Sequence, residues 1–500
     1  MFEKRSIVRS VALALACSPA LFHPAHAVTD EDLRELREQV KQLKQNYESR
    51  IEALEKRLQQ AEQSTGKAEA AAGKAETAAA KAESFSAKAE GLSTKAESVV
   101  QSAVAQAGSR PAGESAMNPG VSLIMNGTYG NLTRPASTYR INGFAPTGGE
   151  VAPIGRGLSL GESELVFSAN IDPRFRGTVI AALGADDRIG VEEAFIQTLD
   201  LDGGLTAKAG RFLAGVGYLN EIHPHAWDFA DAPLASKVFL GNQLGEDGVQ
   251  VKWVAPSNIY FDLGAEFGRG RKFPAGPDNG RDKNGFGSGN FFTHLGGDIG
   301  ASTAWQVGAS YLMTQPQGRT WQDTDAAGTN VTDSFSGKSR LLALSGVLKW
   351  APNGNSTVNN FKLQGEYFRR RENGALTYDT AAASLGTQTG DYRSAQSGWY
   401  TQGVYQFARQ WRAGYRYDRL SPGTTSIGLV NSGALTAANF PILASYKPTR
   451  DTVMLDWSGS EFSRVRVQLA RDRSRAGLPA DNQMVLQYIM SLGAHGAHKF

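Results

Sequence analysis

Gly248-Val-Gln-Val-Lys-Trp-Val-Ala-Pro-Ser-Asn-Ile-Tyr-Phe-Asp-Leu-Gly-Ala-Glu-Phe267 holds two strands and the turn between them. In its second half Ile259, Phe261, Leu263, Ala265 and Phe267 fall on one face and Tyr260, Asp262, Gly264 and Glu266 on the other. Side chains of a strand point alternately to its two sides, so one face is oily and the other polar. The same period of two recurs where Trp411, Ala413, Tyr415 and Tyr417 oppose Arg412, Gly414, Arg416 and Asp418. It appears again where Val465, Val467 and Leu469 oppose Arg464, Arg466 and Gln468. A soluble sandwich shows the same alternation with its charged face in water, so strands alone leave two architectures open.

The connections separate the two. Ala255-Pro-Ser-Asn is one of a series of short turns that also includes Asp172-Pro-Arg, Asp202-Gly-Gly, Gly300-Ala-Ser, Ala351-Pro-Asn-Gly-Asn, Ala408-Arg-Gln and Ser458-Gly-Ser. Mostly long polar segments lie between them. Short and long connections alternate in a transmembrane barrel, because every second connection lies on the same side. The reading is an all-β transmembrane barrel over 120–500 of about 16 antiparallel strands. Strands are expected to start near Val121, Leu158, Phe175, Gly190, Leu205, Gly248, Asn258, Phe291, Thr303, Arg340, Asn360, Ser397, Gln410, Arg450, Phe462 and Gln483. An even number puts both barrel ends on one side. The final segment, Met484 to Leu492, alternates weakly and the chain closes on Phe500, with His495, His498 and Lys499 in an interfacial tail.

Composition agrees. The 500 residues exceed one ordinary core. Mean hydropathy is −0.33, and no run approaches the ~18 apolar residues of a spanning helix. The 52 basic and 49 acidic residues leave a net charge of +3, no footprint for nucleic acid. Met1-Phe-Glu-Lys-Arg5, the apolar Val11 to Ala16 and Ala25-His-Ala27 form a signal peptide over 1–27 with cleavage after Ala27. Cys17, the single cysteine, falls inside it, and Ala14 weakens a lipid-anchor reading. A mature chain without thiols has no disulfide, cysteine metal site or cysteine nucleophile, and fits an oxidising compartment.

Residues 28–107 carry a second pattern. Leu33, Leu36, Val40, Leu43, Tyr47, Ile51, Leu54 and Leu58 recur at spacings of three and four, the stripe of a coiled coil, with a stutter near Tyr47. Lys-Ala-Glu then repeats every seven residues from Lys67 to Glu97. An α-helical coiled coil in the periplasm follows, on the order of 100 Å long if unbroken, with peptidoglycan within reach. A solvated Ala/Lys/Glu linker is the alternative. Residues 108–119, opening near Arg110-Pro-Ala-Gly, link it to the barrel.

This order of signal peptide, coiled coil and barrel resembles the phosphate-selective porin family. The local match is Ala209-Gly-Arg-Phe212, a long loop, then Gly248 to Trp253. That resemblance implies a homotrimeric outer-membrane channel whose long loop folds inward. The stretch Gly217 to Leu234 is similar to proteins labelled zinc-regulated TonB-dependent outer-membrane receptors. A TonB-dependent receptor needs a plug domain and typically about 22 strands. The helical segment ahead of this barrel does not supply one, while a link to metal supply stays open.

The long connection, residues 214–246, offers Glu221, His223, His225, Asp228, Asp231, Glu246 and the adjacent Asp247 against a single Lys237. Histidine and carboxylate suit a transient Zn2+ or other divalent cation, and a channel wants weak sites that release. His223, His225, Asp228 and Asp231 are the candidate ligands; no resident cofactor is expected. On the competing reading, Trp227, Phe229, Leu234, Phe239 and Leu240 pack the loop on the wall and the histidines hydrogen-bond there. Arg412, Arg416, Arg464 and Arg466, with Asp262 and Glu266, line the lumen wall. The arginines form a basic side opposite the acidic loop, and Glu366, Asp418 and Asp456 dilute it. Arg269-Gly-Arg-Lys272 and Arg369-Arg-Arg371, the latter read as the outer end of a strand, suit lipopolysaccharide phosphates or are solvated charge. Neither G-x-S-x-G, H-E-x-x-H nor a phosphate-cradling loop occurs, so no enzyme is expected. The function expected is passive diffusion of small hydrophilic solutes, with divalent ions a specific guess. An anion porin or a membrane-to-wall tether is the alternative.

Overall fold

The computed structural model describes residues 119–146, 151–184, 188–270, 272–276 and 284–493. The expected signal peptide, coiled coil and histidine tail lie outside these residues, as does all but the last residue of the linker.

The chain opens with β1 (Gly120–Leu132), the short β2 (Gly157–Leu160), β3 (Ser163–Asn170), β4 (Phe175–Leu183), β5 (Ile189–Thr198) and β6 (Leu205–Leu213). After a long inserted segment come β7 (Gly245–Val254), β8 (Tyr260–Gly268), β9 (Ser288–Ile299) and β10 (Thr303–Thr314). Next are the short β11 (Arg319–Thr324) and the tall strands β12 (Asn330–Trp350), β13 (Asn360–Tyr378), β14 (Gln388–Ala408) and β15 (Trp411–Ile427). β16 (Thr449–Ser460), β17 (Ser463–Arg473) and β18 (Asp481–Gly493) finish the wall. Two short helices, α1 (Leu234–Leu240) and α2 (Gly428–Asn431), belong to loops.

Sixteen of these strands close a ring. The lower part of β1 pairs with β3, from Gly120 opposite Ser168 to Ile124 opposite Glu164, while β2 lies on its upper part. In the same way β10 pairs with the lower part of β12 and β11 with its upper part. β2 and β11 therefore raise the wall without widening it. The last seam joins β1 to β18 in antiparallel register from Ser122 opposite Gly493 to Leu132 opposite Gln483. A closed ring has no edge strand and satisfies its backbone groups within itself, as a hydrocarbon environment demands.

The outer surface meets that demand. Val249, Leu263, Val307, Leu363, Val453, Leu469 and Leu486 are exposed on it. Beside the short turns stand aromatic pairs, Trp350 opposite Phe361 and Trp411 opposite Trp457, and Trp253 meets Phe261 edge to face at 6.3 Å. Rings with one apolar and one polar side gather where a bilayer meets water. The barrel is thus a transmembrane one.

Strand starts fall within a few residues of expectation, with two exceptions. β12 begins at Asn330 and β14 at Gln388, well before Arg340 and Ser397. Their upper parts, such as Ser334 to Arg340 and Asp391 to Ser397, carry polar residues on both faces, so they give no oily stripe to read. Arg369–Arg371 likewise sit inside β13, not at its end: Arg370 points inward and is buried, while Arg369 and Arg371 face outward opposite Leu342 and Arg340.

The interior is not polar throughout. Val238, Phe239 and Leu240 of α1 pack on inward-facing Leu312, Leu341, Phe368 and Leu420 of the wall. Higher up, Phe440, Ile442 and Leu443 of the β15–β16 loop pack on Phe335, Leu376 and Tyr378. On the tall side the inner wall is therefore covered by small apolar clusters.

Candidate functional site

The site is residues 214–244 folded into the lumen between β6 and β7. Trp227, Phe229, Leu234, Phe239 and Leu240 are all buried there, as the packing reading expected. Backbone polar groups buried this way need partners, and the wall supplies carboxylates. Gly215 N donates to Glu266 Oε1 at 2.8 Å, Tyr218 N to Glu366 Oε1 at 2.6 Å, and Leu234 N to Asp418 Oδ1 at 2.8 Å. Glu266 also receives Gln250 at 2.6 Å and Asn290 at 2.8 Å. Glu266, Glu366 and Asp418, read as lumen charges that dilute a basic wall, are instead struts under the loop.

Two acidic residues of the loop are tied to the basic wall. Asp228 pairs with Lys362 at 3.0 Å and with Arg412 at 3.2 Å. Asp231 pairs with Arg416 at 2.9 Å, with Arg450, and with Lys237 at 3.5 Å. Burial alone would raise the pKa of both acids, yet the surrounding cations hold both carboxyls below the usual carboxylate range. Arg466 donates to the Trp227 carbonyl at 2.8 Å and Arg464 to the His225 carbonyl. Asp456 receives Arg466 at 2.8 Å and also pairs with Arg412. Asp262 receives Lys252 at 2.9 Å and His294 at 3.0 Å.

Several expectations are corrected by this geometry. The arginines do not stand opposite an acidic loop across open water; the loop lies on them, because its carboxylates are neutralised by contact. Asp228 and Asp231 meet these cations, while the histidines meet other carboxylates. Glu246 and Asp247 belong to β7 rather than to the loop. Glu246 is buried and accepts from Gly270 N at 3.0 Å. Asp247 shares the outward side of β7 with Val249 and pairs with Arg211 at 2.7 Å, so it is not a lumen residue. Lys237 is buried within α1. Glu221 is half-buried.

His223 and His225 do come together, their rings stacked 5.8 Å apart. Their partners are carboxylates of the wall. His225 Nδ1 is 2.8 Å from Glu164 Oε1 of β3. His223 Nε2 is 3.0 Å from Glu193 Oε2 of β5, and its Nδ1 is 3.2 Å from both Glu164 Oε2 and Glu192 Oε2. Glu164, Glu192 and Glu193 carried no signal of their own in sequence; only the Glu-Glu doublet, uncommon in a strand with an oily face, marks them.

No family model matches the chain. It is 28% identical over 368 residues to an uncharacterized protein of Aquifex aeolicus (strain VF5), spanning 69% of this chain and 70% of that one. Among solved structures it is similar to OmpTdeltaL8, a loop L8 deletion mutant of the outer membrane protein OmpT of Vibrio cholerae, at 11% identity and TM-score 0.47 over 75% of this chain and 99% of that one. It is similar to Pseudomonas putida OprB at 13% identity and TM-score 0.43, over 75% and 94%. The anion-selective porin from Comamonas acidovorans matches at 10% identity and TM-score 0.40, over 75% and 97%. Likeness at this level adds nothing to the strand pairing, which establishes the barrel by itself. The fold and the inward loop define a class, a closed 16-strand transmembrane barrel narrowed from within.

Proposed function

We propose that the chain is an outer-membrane porin that lets small hydrophilic solutes diffuse through a constriction formed by residues 214–244. The observation that carries this reading is the inward loop, held by Glu266, Glu366 and Asp418 and by the ion pairs of Asp228 and Asp231. A closed wall with a fixed internal narrowing is the device by which a channel sorts solutes by size and charge. Short turns face the periplasm and long loops the outside in such barrels, so the reading puts the start of β1 at the periplasmic rim. Assembly as a trimer fits the low wall of β3–β6, whose strands of eight to ten residues barely span a bilayer and suit cover by a neighbouring copy.

A second reading is anion selectivity. Lys362, Arg412, Arg416, Arg450, Arg464 and Arg466 gather against Asp228, Asp231, Asp418, Asp456 and Asp472, a small basic surplus in this part of the lumen. Reconstitution in planar bilayers tests both. Discrete conductance steps are expected, and reversal potentials in a KCl gradient give the sign of selectivity. A folded, inserted protein that passes no current would overturn the channel and leave the tether.

A further inference from the structure

We infer that Glu164, Glu192, His223 and His225 form a divalent-cation site, of the chemistry that takes Zn2+, on the outer side of the loop. Four observations converge on it. First, Glu164 Oε2 and Glu192 Oε2 each lie 3.2 Å from His223 Nδ1, and none of the three atoms makes a hydrogen bond of good geometry. Glu164 is almost fully enclosed, with 1% of its side chain exposed. Carboxylate oxygens only accept hydrogen bonds, so the two buried oxygens facing Nδ1 need either a proton on that nitrogen or a cation between them.

Second, Glu193 braces the other ring nitrogen of His223. Glu193 Oε2 faces His223 Nε2 at 3.0 Å, and Glu193 Oε1 is fixed by Leu213 N at 2.9 Å. When the ring proton sits on Nε2 and is given to Glu193, the Nδ1 lone pair points at Glu164 and Glu192. A carboxylate behind a histidine is the arrangement that orients and strengthens a metal-binding imidazole. Third, Glu164, His223 and His225 each present a donor atom within 4.8 Å of the others, and Glu192 joins Glu164 in a second such group with Glu162. Two imidazoles and two carboxylates are the donor set of a borderline divalent ion in tetrahedral coordination. Fourth, the site is reachable: Glu162 and Glu192 line a cleft at the long-loop end with Arg188, Gln243 and Lys272.

The inference goes beyond the channel reading, because ion binding is measured without current. Metal-free full-length protein without a polyhistidine tag, in detergent, is titrated with ZnCl2 by calorimetry, and crystals soaked in zinc are measured at its absorption edge. One ion per chain is expected, with an anomalous peak about 2.0–2.2 Å from His223 Nδ1 and a carboxylate oxygen. His223→Ala and Glu192→Gln should each weaken binding at least ten-fold while keeping the heat-modifiable gel mobility of a folded barrel. Glu192→Gln at the cleft mouth keeps the test open should the buried His223→Ala disturb the loop. No uptake of zinc by the wild type, a peak elsewhere, or unchanged affinity in the folded Glu192→Gln protein overturns the site.

Discussion

Asp231 is a hub of the lumen's electrostatics. Arg416, Arg450 and Lys237 converge on it, and Gln468 Nε2 donates to it at 3.0 Å. Removing the anion takes a carboxylate from three buried cations, of which Arg416 keeps Asp418 at 3.1 Å and Arg450 keeps Asp472 at 3.8 Å, and breaking a buried pair costs about 3–5 kcal/mol. Asp231→Ala is therefore expected to lower the thermal transition of the barrel and to give noisy, enlarged conductance, whereas an Asp at the exposed Asp298 position changed to Ala should leave both unaltered. At this scale the sequence was half legible. A loop with His-Pro-His followed by aspartates announces charged chemistry. Which charges meet is another matter: His225 finds Glu164 61 residues away, and Asp231 finds Arg450 219 residues away. Those pairings are set by how strands are staggered around a ring, and alternation reports only which face a residue takes.

For single elements, legibility followed water. Where one face meets lipid and the other the lumen, as in Trp411 to Asp418, the period of two is plain. In the upper parts of β12 and β14 the outward face is polar and the inward one mixes Phe335 and Tyr392 with Gly337, Ser339, Ser394 and Gln396, so the period fades, which is why both strands began earlier than expected. The inserted loop is the opposite case. Its aromatic residues read as packing residues and are so. The struts under it were invisible, since a carboxylate that holds a backbone N–H looks in sequence like any lumen charge. Gly217 shows how tight that fit is. Its φ is +73°, and a Cβ there would lie 2.1 Å from Glu366 Oε1, the oxygen that receives Tyr218 N. Gly217→Ala must both strain the backbone and push the strut away. The measurable result expected is a shift in single-channel conductance with the heat-modifiable mobility of the barrel retained.

For the whole molecule, the decisive property is which side of the wall is oily. Leu486 lies on the outward side of β18 near the middle of the strand, and its neighbour Gln487 is turned inward and buried. Arginine on the lipid face of a barrel at mid-depth costs about 2–4 kcal/mol. Leu486→Arg should lower folding stability in lipid vesicles by about that amount, as read from a urea titration. A neutral outcome would mean that this surface is packed on protein instead.

The wall is also of unequal height. β3 to β6 hold eight to ten residues each, and β12 to β15 hold seventeen to twenty-one. At roughly 3.3 Å per residue and a tilt of about 40°, the difference amounts to on the order of 25 Å. The barrel thus ends in a one-sided parapet that screens the entrance along the four strands β12 to β15. Among the described residues the crest of that parapet is the turn at 379–387, so large particles such as antibodies or bacteriophages are expected to meet it ahead of the tops of β3 to β6.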